Sequence, residues 1–127
     1  MKIALGTANF ERKYGALGSS FSKNNISSLN KLIEQKKINY IDTAFIYTSS
    51  NKILRKLNLK KVKIITKVEL PKKNKFSFIN KIEYFVKSDL KVFKKKNFDY
   101  ILFGNVSDLS SKYSEALLSK IFEIKKK

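Results

Sequence analysis

Four short apolar runs, each followed by a polar turn and a stretch of helical period, constrain this chain more than any other feature. The runs are Ile3–Thr7, Tyr40–Ala44, Val62–Val68 and Asp99–Phe103. Near-continuous apolar character, β-branched in the second and third, is what parallel strands show when helices cover them. After the first run, Ile26, Leu29, Leu32 and Ile33 recur at the spacing of one helical face, with serines and asparagines at 22–25 to cap it. A short second helix follows, with Ser49 or Ser50 as cap and Ile53, Leu54 and Leu57 inward. Pro71 cannot continue a ladder and marks the exit from the third run. A longer helix is expected over roughly 76–96, burying Phe78, Ile82, Phe85, Val86, Leu90 and Phe93. The last, about 111–126, turns Tyr113, Leu117, Ile121 and Ile124 inward. Right-handed crossovers then restrict the strands to an open parallel sheet or part of a closed barrel.

Composition removes several chemistries. The 127 residues suit one domain, 1–127, and include no cysteine and no histidine. Disulfides, thiolate nucleophiles and the commonest metal ligand and general base are therefore absent, and no metal site is expected. No stretch approaches the ~20 apolar residues of a membrane span, and the N-terminus breaks off too soon for a signal peptide, so a cytoplasmic location is expected.

The net charge of +18 raises the question of nucleic acid, because clustered cations release counterions from phosphates. Along the sequence, however, charge is spread: residues 1–63 carry 13 basic and 3 acidic side chains, and residues 64–127 carry 15 and 7. Only Arg12 and Arg55 are arginines, whereas base-edge readers lean on the guanidinium fork. A solvated lysine surface is expected, with neither specific nucleic acid nor membrane as partner. A basic nucleic-acid-binding module stands as the alternative of another class.

Chemistry gathers at the ends of the runs. Asp42-Thr43-Ala44-Phe45-Ile46-Tyr47 sets a carboxylate and a phenol five residues apart, and Lys67 sits near the end of the third run. Singly, each has an ordinary structural explanation. In order, with Leu5-Gly6-Thr7-Ala8-Asn9-Phe10 and Tyr14-Gly15 before them and Asp99 to Asn105 after, they resemble the N-terminal half of an aldo/keto reductase. The opening is similar to LGTxxFGxxYG, the second motif to D-T-A-x-x-Y, and the last to D-x-x-x-x-H-N. The Phe-x-x-x-Tyr-Gly spacing is closest to a bacterial branch.

The resemblance implies an α/β fold, half of a (β/α)8 TIM-type barrel with four parallel strands and four helices. Its length agrees, since the full barrel runs to about 250 residues. It also implies reduction of a small carbonyl substrate by hydride from NADPH, with Tyr47 as the acid that protonates the carbonyl oxygen. A free phenol, with a pKa of about 10, is a slow acid at neutral pH. The Lys67 ammonium would favour phenolate, and Asp42 would hold that ammonium in place. Gly6, Thr7 and Asp42 match cofactor contacts of the family.

Departures qualify this. Gly104 stands where the family has its catalytic histidine. Glu11, Thr48, Asn51 and Arg55 break the family's loop pattern, three of them at positions of a glycine, which exposes non-glycine residues to positive φ. The family's remaining cofactor contacts fall in a C-terminal half that these residues do not include. The chain is therefore expected to be inactive alone, with a homodimer or a C-terminal half chain as the partner that could complete it.

Overall fold

The computed structural model describes residues 1–10 and 25–126. Tyr14-Gly15, Glu11 and the cap positions 22–24 lie outside the described residues. Four strands alternate with four helices: β1 (Ala4–Gly6), α1 (Asn25–Glu34), β2 (Tyr40–Asp42), α2 (Thr48–Leu54), β3 (Lys63–Val68), α3 (Lys75–Phe93), β4 (Tyr100–Phe103) and α4 (Ser114–Lys126). All strand pairs are parallel, in the order β1-β2-β3-β4, with Leu5 opposite Ile41, Ile41 opposite Ile64, and Thr66 opposite Ile101. The outer sides of β1 and β4 pair with no strand among the described residues.

Alternation of side chains along each strand gives the sheet two unlike faces. Ile41, Ile64 and Val68 turn toward the helices and are 0%, 0% and 1% exposed. Ala4, Tyr40, Ile65, Tyr100 and Leu102 turn the other way and line a shallow cavity of about 290 Å³ with Lys2. No helix among the described residues covers that side.

Two apolar clusters fill the space between sheet and helices. One joins Ile41 and Ile64 to Ile33, Leu54, Val92 and Phe93; the other joins Phe45 and Val68 to Ile79, Ile82, Val86 and Leu117. Three buried polar residues lie on these elements: Thr43 on the segment after β2, Thr66 on β3 and Asp89 on α3. Asp89 is reached by Asn51 of α2, whose Nδ2 donates to its Oδ1 at 3.0 Å.

Local chemistry departs from expectation in two places. Neither Ser49 nor Ser50 caps α2; Tyr47 is its N-cap, and the buried Ser50 hydroxyl instead donates to the Thr7 carbonyl at 2.9 Å. Tertiary demand for that donor outweighs the local capping preference. Positive φ does not fall on the family's lost loop glycines among the described residues. It falls on Lys36 (57°), Asn74 (58°) and Lys94 (53°), while Arg55 has φ −57°. The turn that leaves α2 at Arg55 therefore has a conformation open to any side chain.

Candidate functional site

Parallel register brings two of the expected residues together. Asp42 pairs across with Ile65, so Lys67, two residues further along β3, projects from the same open face. Its Nζ donates to both carboxylate oxygens of Asp42, at 2.6 and 2.8 Å, and both side chains are 30% exposed. A half-exposed pair of this kind contributes at most about 1 kcal/mol to stability. Its value is positional: the two contacts hold an ammonium at the strand ends.

Tyr47 stands apart. Its backbone N–H donates to the Ala44 carbonyl at 3.0 Å as the chain turns into α2, and its ring is half-buried. No hydrogen bond joins its phenol to Lys67 among the described residues.

Gly6 ends β1 and is exposed, with nothing within 4 Å of a Cβ built on it. Thr7 is fully buried; its N–H donates to the Asp42 carbonyl at 3.0 Å and its carbonyl accepts from Ser50. Both residues therefore fix where Asp42 stands, through the β1–β2 ladder and its extension.

Gly104 donates its N–H to the Val68 carbonyl at 2.8 Å, directly beyond β4. A Cβ there would lie 3.2 Å from both Cβ and Oε2 of Glu69. Glu69 thus takes part of the space that a side chain at 104 would need. Sequence reasoning missed it, although it follows Lys67 by two and so shares its face. Asp108 was missed as well. Buried just past β4, it accepts from Leu70 N–H at 2.9 Å and from Lys75 at 3.4 Å, tying the exit of β3 to the β4–α4 connection.

One buried carboxyl has an altered proton affinity. Burial pushes Asp89 up to about 6, against the lowering effect of its hydrogen bond from Asn51. It lies among the helices and takes no part in the Asp42–Lys67 pair.

No protein-family model matches the chain, and no curated protein matches it. Two solved structures from Pseudomonas aeruginosa, each provisionally described as an aldo-keto reductase, do match in fold. One superimposes with a TM-score of 0.67 at 22% identity, the other with 0.68 at 25%. Each alignment covers 97% of this chain and 49% of the other, so the chain spans about half the length of the solved structures it matches. Its four parallel strands and four helices are the architecture of half an aldo-keto reductase barrel.

Proposed function

We propose that these residues are the proton-donating half of a carbonyl-reductase barrel and that they do not turn over substrate by themselves. The observation that carries this reading is the two-oxygen hold of Asp42 on Lys67 at the ends of adjacent strands, facing the open side. In the family reaction, hydride from NADPH reaches the carbonyl carbon while an acid protonates the oxygen. Tyr47 is the acid that the motif assigns, and Lys67, kept in position by Asp42, is the cation that would favour its phenolate.

The residues present do not fit a complete nicotinamide site. Thr7 is buried, Asp42 is engaged with Lys67, and Gly104 offers no side chain. The remaining contacts that the resemblance implies lie in the half of the barrel that the chain does not span. A second reading, favoured by the uncovered sheet face, is that activity appears only when another chain completes the ring.

Titration of NADPH fluorescence with the 127-residue chain, alongside size-exclusion chromatography, separates these. Unchanged fluorescence and a monomer support the half-site and sink self-assembly. Gly104→His, alone or with Glu69→Ala to make room, is expected to remain inactive. Measurable NADPH-dependent carbonyl reduction by either variant overturns the proposal.

A further inference from the structure

Charge that is spread along the sequence is concentrated in space. The connections that enter strands, 35–39, 55–62 and 94–99, all open at the N-terminal edge of the sheet, opposite the Asp42–Lys67 pair. They hold Lys36 and Lys37, then Arg55, Lys56, Lys60 and Lys61, then Lys94, Lys95 and Lys96, against the single acid Asp99. Apart from 7–24, which lies largely outside the described residues and holds Arg12, Lys13 and Lys23 against Glu11, the connections that leave strands, 43–47, 69–74 and 104–113, are of similar total length. They hold only Lys72, Lys73 and Lys112, against Glu69 and Asp108. A general enrichment in lysine would load both edges alike.

Two structural explanations fall short. Lysines after a helix offset its macrodipole, but each helix end carries only about half a charge, so the three helix ends here account for a small part of the excess. Nor are these cations consumed internally. None forms an ion pair among the described residues; eight of the nine are exposed, and the ninth, Lys95, donates to the Lys60 carbonyl at 2.9 Å.

Backbone geometry adds an independent sign. At the end of α1, Lys37 N–H bonds to the Leu32 carbonyl and Lys36 N–H to that of Ile33; at the end of α3, Lys95 and Lys94 do the same to Leu90 and Lys91. Both are Schellman turns, which favour glycine at the left-handed position. Here that position is lysine twice, at φ 57° and 53°. Cations occupy sites where the backbone alone favours another residue.

We infer that this edge is a docking surface for the phosphate backbone of nucleic acid, bound without regard to sequence. Adjacent strands lie about 4.8 Å apart, so the three lysine-bearing connections crowd within roughly 15 Å, a spacing suited to a few consecutive phosphates. Lysine ammoniums act there as point charges, and the single arginine offers little for reading bases. An anionic membrane fits less well. The apolar residues of these connections, Ile38, Leu57, Leu59, Val62 and Phe98, are turned into the protein and leave none to insert into lipid.

The test measures anisotropy of a fluorescein-labelled 20-nucleotide oligothymidylate with the 127-residue chain. Two triple variants carry the same net charge: Lys61→Gln with Lys94→Gln and Lys96→Gln, and Lys72→Gln with Lys73→Gln and Lys112→Gln. The first should bind at least tenfold more weakly and lose about two from the slope of log affinity against log salt; the second should change less than twofold. Lys94→Gly alone should bind severalfold more weakly while melting higher, which excludes unfolding as the cause. Equal losses in the two triples would overturn the inference in favour of diffuse charge. So would failure to bind the oligonucleotide, including the case in which phosphatidylserine vesicles bind instead.

Discussion

The two faces of one four-stranded sheet have opposite characters. Toward the helices, Ile41, Ile64 and Val68 are sealed among apolar neighbours. On the other side, Tyr100 and Leu102 remain 48% and 43% exposed beside the Asp42–Lys67 pair. Burying a large aliphatic side chain is worth about 1.5–3 kcal/mol, so the covered face supplies most of the folding free energy. The other face, uncovered among the described residues, contributes little to folding and carries the Asp42–Lys67 pair. Four strands and four helices can thus be held in place by one face of the sheet alone.

Substitution measures that contrast directly. Ile64→Ala empties a fully buried position between β2, α2 and α3 and should cost about 3–4 kcal/mol in chemical denaturation. A loss below about 1 kcal/mol would mean the covered face is not the core described here.

Asp89 asks whether polarity inside the covered face is costly. Its folded pKa, about 6, lies above the ordinary carboxyl value of 3.8, so the folded state binds the proton more tightly than the unfolded state does. The neutral form's advantage is full below 4 and disappears as pH rises through 6. Asp89→Asn, which can still accept from Asn51, should therefore stabilise the chain by about 2 kcal/mol at pH 7 and flatten the dependence between pH 4 and 6. A pH-independent difference between the two proteins would contradict the assignment.

Smaller effects test the edges and the open side. Lys94→Gly removes a side chain from a left-handed turn and should raise stability by about 1 kcal/mol in thermal unfolding. Leu102→Lys on the open face should shift stability by no more than about 0.5 kcal/mol in the monomer. A large loss there, with a change in elution volume, would show that the face is covered in solution and would sharpen the case for assembly.

Much of this was legible in the residues. The four apolar runs and the helical stripes that follow them locate the four strands and four helices, because period and burial are local signals. Strand boundaries shifted by a residue or two, as in β2, which stops at Asp42, and the end of α3 and the start of α4 by three. The Asp42–Lys67 meeting was also legible, since D-T-A-x-x-Y and the lysine strand arrive in order. Ser50 was misread because a buried carbonyl 43 residues away claims its hydroxyl. Glu69 and Asp108 were missed because nothing in local pattern says that one will lie over Gly104 or that the other will accept the Leu70 N–H.

Sequence by itself determined the alternation of strand and helix, the order of the motif residues and the presence of glycine, not histidine, at position 104, all properties of neighbours along the chain. Tertiary structure alone decided three things: that Asp42 holds Lys67 by both oxygens, that one face of the sheet is uncovered among the described residues, and that eight of the 26 lysines gather in the strand-entering connections at one edge. The reason is topological. Parallel strands joined by right-handed crossovers send every entering connection to one end and every leaving connection to the other. Residues some thirty positions apart become neighbours there, and no local pattern records which charges will meet.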